Sequence, residues 1–220
     1  MTEEPVKTYR EYSDPEEIAN IITHGLGVVL GIGGFILLLI KGLRVGNPLY
    51  TVAVSIYSLT LIWTYSTSTL YHSAYKAGVK LKNTFHLMDH TAIYLFIAGT
   101  YTPVALFALP GDWRYIILGG IWTLAILGII FKIFSIGRFN WLSTIFYLLM
   151  GWMILIAAKP LINYADPALV YWILAGGICY SLGVIFFMWD RLRYSHAIWH
   201  LWVLAGSICH FVAIYGYLEV

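Results

Sequence analysis

The sequence predicts an all-α membrane protein: a bundle of seven transmembrane helices with its N-terminus in the cytoplasm. Three observations carry this. Of 220 residues, 60% are hydrophobic and only 11% charged, whereas a soluble domain carries about 25% charged residues. Apolar stretches near the roughly 20 residues that a spanning helix needs recur along almost the whole chain. The gaps between them are short and hold most of the charges, as in antiparallel neighbours of a compact bundle.

The seven stretches cover residues 20–40, 49–71, 85–109, 115–134, 141–159, 167–188 and 195–218. Strands of a transmembrane barrel would be about 10 residues long and would alternate apolar with polar. These runs are longer and uniformly apolar. Residues 1–19 are polar and acidic and read as a cytoplasmic N-terminal segment. They lack the basic start and short apolar run of a cleavable signal. Residues 20–218 form the membrane domain, which leaves no room for a separate soluble one.

Taken in order, the first stretch carries Gly27 and Gly31 among Gly25, Gly33 and Gly34. A small-xxx-small pair lets a neighbouring helix approach closely. The second stretch ends with Ser68 and His72. The third opens with His86, Asp89 and His90 and contains Pro103, which removes a helix hydrogen bond and is expected to kink it. The fourth and fifth are almost wholly apolar. Cys179 and Cys209 fall inside the sixth and seventh; they form neither a disulfide framework nor a metal-binding spacing, and read as packing residues. The seventh opens with His196 and His200 and also carries His210. Many of the 17 Tyr and 9 Trp lie near stretch ends, where amphipathic rings favour the membrane interface.

Basic residues near the helix ends set the orientation. With the N-terminus inside, Lys7, Arg10, Lys76, Lys80, Lys82, Lys132, Arg138, Arg191 and Arg193 are cytoplasmic, and Lys41, Arg44, Arg114 and Lys159 are outside. Nine against four favours this arrangement, with Lys41 and Arg44 dissenting. The net charge of +2 is too small to point to nucleic acid.

An ionisable residue in a membrane helix is costly and is a functional candidate by default. Here such residues do not scatter. Glu17, Asn20 and His24 start the first helix, at i, i+3 and i+7 on one face. Ser68 and His72 end the second, His86, Asp89 and His90 start the third, and His196 and His200 start the seventh. All of these ends are cytoplasmic in the chosen topology, and only His210 lies away from the layer. His196 and His200 are four residues apart, so they share a face with a rise of about 6 Å. Two imidazoles so placed can bind one zinc ion, and His72 could join them from the second helix. His86 and His90 have the same spacing. Spacing alone does not separate a metal pair there from histidines hydrogen-bonded at the interface.

The chain resembles the hemolysin III proteins, the bacterial branch of the progestin and adipoQ receptor family. The motifs, in order, are Glu17-x-x-Asn20-x-x-x-His24; Ser68-x-x-x-His72 followed by Asp89-His90 and Gly99-Thr-Tyr-Thr-Pro103; and His196-x-x-Trp199-His200 continuing to Gly206-Ser207 and His210-Phe211. The resemblance spans Glu17 to His210. It implies a multi-pass protein of the cell inner membrane, with the C-terminus outside and a zinc ion near the cytoplasmic face. His72, His196 and His200 would be the ligands. Asp89 would hold a zinc-bound water, and Ser68 would support the site from behind. Glu17, Asn20, His24 and His90 would be supporting residues.

Three neutral imidazoles leave a fourth tetrahedral position open, as catalytic zinc sites do. Zinc lowers the pKa of a bound water towards about 7, and Asp89 could take its proton. Together these suit hydrolysis of an amide or ester whose acyl chain enters from the bilayer, and the resemblance implies a ceramidase-like hydrolase that serves membrane lipid homeostasis. The alternative is a structural zinc in a receptor-like membrane sensor or a cytolysin. An ion carrier would need ionisable groups at mid-bilayer depth, and His210 is the one candidate. The expected partner is membrane lipid, including a substrate with an acyl chain; no protein partner is inferred.

Overall fold

The computed structural model describes residues 12–135 and 140–219. Lys7, Arg10 and Arg138, which contribute to the orientation count, lie outside the described residues, as does most of the 1–19 segment. The described residues are helical, with no strand among them.

Helix α1 (Asp14–Val45) starts six residues before the first apolar stretch. The cause is local. Ser13 donates from its backbone N and its hydroxyl to Glu16 Oε2 (3.1 and 2.7 Å), Pro15 sits in the first turn, and three carboxylates favour the positive end of the helix. Gly46, at φ 72°, ends it. Helix α2 (Pro48–Ser73) opens where Asn47 Oδ1 accepts from the backbone N–H groups of Leu49 and Tyr50 (3.0 and 3.3 Å). Helix α3 (Val79–Ala108) runs unbroken through Pro103, and α4 covers Trp113–Ser135.

The fifth pass is not one helix. It consists of α5 (Asn140–Gly151), a 3-10 turn (Met153–Ala157) and α6 (Ala158–Tyr164), and so ends beyond the 141–159 stretch. Backbone groups freed at a break must be satisfied inside a membrane protein. Tyr101 of α3 does this twice: its hydroxyl donates to Gly151 O (2.8 Å) and accepts from Ile154 N–H (2.9 Å). Helix α7 (Pro167–Phe187) is capped by Asp166, whose Oδ1 accepts from Ala168 N–H (2.6 Å). Helix α8 (Ser195–Val212) continues into a π-helical turn (Ala213–Tyr217).

Counting the broken segment as one pass gives seven. Six are long and apolar enough to cross a bilayer on those grounds alone. The other is α2, whose 26 residues include many hydroxyls. Those hydroxyls are closed on their own helix: Ser55, Ser58, Thr60, Thr64 and Thr69 each donate to the carbonyl four residues back. This removes much of the cost of placing them in a bilayer.

Successive helices pack as neighbours, and α1 also meets α8, which brings the chain's two ends together. The expected close approach of α1 occurs against α2. A Cβ added at Gly27 would stand 2.5 Å from the Tyr65 ring, and one at Gly31 would stand 2.6 Å from Leu61. The dissenting Lys41 is tied to the chain's end: its Nζ donates to Tyr215 O (2.7 Å) and Leu218 O (3.4 Å). A cation at a helix C-terminus complements its dipole, so the position of this lysine has a local cause besides the orientation of the chain.

Candidate metal centre

Helices α2 and α8 bring three imidazoles together against α1 at one end of the bundle. His72, His196 and His200 each offer a ring nitrogen, and these atoms all lie within 4.8 Å of one another. His72 and His200 are both about 1% exposed. The last turn of α2 supplies His72, and the first two turns of α8 supply the other two, four residues apart.

Contacts from α1 fix two of the rings. Glu17 Oε2 accepts from His72 Nδ1–H at 2.7 Å, with the two side chains 5% and 0% exposed. Asn20 Nδ2 stands 3.4 Å from the same nitrogen. The opposite nitrogen, His72 Nε2, is buried with no hydrogen-bond partner among the described residues. Thr23 Oγ1 lies 2.9 and 3.0 Å from the carbonyls of Ala19 and Asn20, which take its one proton. It can therefore only accept at its 3.0 Å contact with His200 Nδ1. His200 thus carries its proton on Nδ1 and keeps the Nε2 lone pair free. Metal-binding histidines are held in this way, through the ring nitrogen that does not face the ion. The donor set therefore fits zinc: neutral imidazoles, an orphaned buried nitrogen, and partners that fix the tautomer.

Ser68 does not reach one of the three rings. Its hydroxyl is 2.7 Å from His24 Nδ1, and His24 stacks on His200 with ring centroids 3.4 Å apart. Asp89 lies about three turns into α3, with Oδ2 3.4 Å from His90 Nδ1, and lines one cavity with His24, His196 and His200. The rings of His86 and His90 meet at a tilt of 53° with centroids 4.2 Å apart, and both stay outside the three-histidine group. His210 is remote, bonded through Nε2 to Ile173 O at 3.2 Å.

The motifs did not single out three further residues. Thr23 orients His200. Tyr12 sets its ring 5.2 Å from that of His196 and 6.0 Å from that of His72. Tyr194, at φ 56°, makes the turn into α8, and its N–H donates to Glu16 Oε1 at 3.0 Å. Thr23 shares the face of Asn20 and was findable from that periodicity. The other two leave no pattern along the chain.

The centre opens into a cavity of about 460 Å³, lined by His24, Asp89 and His200 at one end and reaching His210 and Ile214 at the other. A family model described as Haemolysin-III related matches residues 12–211. The chain belongs to this family. It is similar to Hemolysin-3 of Bacillus cereus, 48% identical over 186 residues that cover 84% of each chain. It is also similar to a Hemolysin-3 homolog of Bacillus subtilis (strain 168), 44% identical over 185 residues, 84% of this chain and 86% of that one. A more distant likeness is to the human monocyte to macrophage differentiation factor, 30% identical over 208 residues, 92% of this chain and 84% of the other. In this haemolysin-III-related chain the matched region contains the whole three-histidine group and every residue that holds it.

Proposed function

We propose that this haemolysin-III-related protein is a membrane-embedded zinc hydrolase that cleaves an amide or ester bond of a lipid. One observation carries the reading: three imidazoles, two of them buried, have no fourth protein ligand grouped with them among the described residues, and two of the three line a largely apolar cavity together with the Asp89 carboxylate. Structural zinc sites usually have four protein ligands. The basic-residue count supports placing this end on the cytoplasmic side.

His72, His196 and His200 hold the metal, which supplies a Lewis acid and a more acidic water. Glu17 and Thr23 keep two of those rings in the ligating tautomer. Asp89 orients the attacking water and accepts its proton. His90, 3.4 Å behind Asp89, passes that proton towards the cavity mouth. The apolar walls take the acyl chain and exclude bulk water from the scissile bond.

The test uses the purified protein in lipid nanodiscs, loaded with zinc and offered a panel of ceramides and phospholipids. Fatty acid is released, and Asp89→Asn abolishes release while zinc stays bound. No release across the panel from zinc-loaded protein refutes the reading. Metal analysis tests the ligands: zinc is lost from His72→Ala and His196→Ala and kept by His86→Ala.

The name Hemolysin-3 borne by the relatives gives ground for a second reading, a cytolysin or membrane sensor whose zinc is structural. Vesicle leakage caused by the purified protein and unaffected by His196→Ala would favour it.

A further inference from the structure

The far wall of the cavity holds a polar cluster that the metal centre does not use. Ser207 lies seven residues beyond His200 and His210 ten, about 10 and 15 Å along α8. Ser207 Oγ donates to Val203 O at 3.0 Å. Its one proton is then committed, so the hydroxyls of Tyr65 (2.7 Å) and Tyr180 (3.0 Å) both donate to it. The Tyr180 oxygen is left with acceptor capacity only.

His210 reaches the same state by another route. Its Nε2 stands 3.2 Å from Ile173 O, and a carbonyl only accepts, so that nitrogen carries the proton. In a neutral imidazole Nδ1 is then an acceptor, and here it is buried with no partner among the described residues. The rings of Tyr180 and His210 meet edge-on with centroids 5.3 Å apart, and both line the cavity. His210 Nδ1 therefore lacks a donor inside a spanning helix, where an unpaired polar group is costly, and the Tyr180 oxygen, on the ring beside it, keeps a free lone pair. Two other polar side chains that line the cavity are already closed. Thr100 donates to Phe96 O, and the Tyr101 hydroxyl sits between Gly151 and Ile154.

We propose that Tyr180 and His210 form a hydroxyl-recognition subsite, and that the cavity's lipid carries an alcohol near the middle of its acyl chain. This rests on the reading of the cavity as an acyl-chain site. A hydroxyl supplies the missing donor, and a ketone or a methylene does not. The spacing of about 15 Å along α8 matches the distance from the carboxyl carbon to about C12 of an extended chain.

The experiment reads binding rather than turnover. Full-length protein in nanodiscs is loaded with a fluorescent fatty acid, which is displaced by octadecanoate, 12-hydroxyoctadecanoate or 12-oxo-octadecanoate. The hydroxy acid binds about tenfold tighter than the other two, the effect of satisfying one buried acceptor. Tyr180→Phe and His210→Phe each reduce that preference to about twofold or less, with octadecanoate affinity and zinc content unchanged. If His210→Phe does not fold, Tyr180→Phe carries the test. Equal wild-type affinities for the three acids overturn the proposal and point to a water in the subsite. A preference that survives the substitutions also overturns it. No binding of any acid refutes both the subsite and the acyl-chain reading. A hydroxyl preference without fatty-acid release from the lipid panel upholds the subsite and counts against the hydrolase alone.

Discussion

Glu17→Gln isolates the support given to one ligand without removing the ligand. The bond from His72 Nδ1–H to Glu17 Oε2 is 2.7 Å long, between side chains that are 0% and 5% exposed. A hydrogen bond to a charged acceptor contributes about 1.5–3 kcal/mol, and a neutral one about 0.5–1.5 kcal/mol. The substituted amide keeps the shape and a carbonyl acceptor but loses the charge, a difference of about 1–2 kcal/mol. The bond strengthens when the opposite nitrogen donates to a metal, so most of that difference falls on affinity. At 1.4 kcal/mol per factor of ten, zinc binding weakens about tenfold, which agrees with the 10–100-fold typical of such partners. The assay is a chelator-competition titration of zinc on detergent-purified protein, with thermal unfolding of the metal-free forms as a folding control. Ser68→Ala is the comparison: Ser68 bonds His24, not a ligand, so affinity stays within about twofold. Wild-type affinity in Glu17→Gln, or an equal loss in Ser68→Ala, refutes the reasoning.

Three further outcomes concern the scaffold. Gly27→Val forces atoms into the Tyr65 ring and costs about 1–3 kcal/mol; Tm falls by several degrees, and an unchanged Tm would mean that α1 and α2 can separate freely. Lys41→Met removes the donor to Tyr215 O and Leu218 O and costs about 0.5–1.5 kcal/mol, read as faster amide exchange confined to the last turn of the chain. Tyr194→Gly relieves a left-handed backbone by about 1 kcal/mol and raises Tm; a fall in Tm would show that the ring contributes more than the strain removes.

Much of this architecture is legible along the chain because its causes are local. Spanning length and interface charges are properties of neighbouring residues; the Ser13–Glu16 and Asn47 caps are local too, but the apolar runs alone do not show them, and so place the start of α1 six residues late. The i, i+4 spacing of His196 and His200 is equally local. His72 joins them through the packing of the helices, and the layering of polar residues at helix ends is the trace that packing leaves in the sequence. The hidden features depend on tertiary partners. Nothing in Met153–Ala157 announces a break, since the residue that satisfies it is Tyr101, on another helix. Ser68 has the spacing of a ligand's partner, yet it turns to His24 because α1 presents that ring first. Thr23 reads as an ordinary helical threonine until α8 places His200 against it. Residues 49–71 read along the chain as a spanning stretch, yet α2 is not among the six helices that qualify on length and hydropathy, a measure that does not register hydroxyls bonded to their own backbone.

The two hydrogen bonds of Tyr101 also order events in biogenesis. A membrane chain is delivered to the bilayer from its N-terminus, so α3 is inserted before the fifth segment emerges. The phenol is therefore already waiting when Gly151 and Ile154 arrive, and the break can form without passing through a state with bare amide groups in lipid. A Tyr101→Phe chain loses both bonds and leaves Gly151 O and Ile154 N–H to find other partners inside the membrane domain.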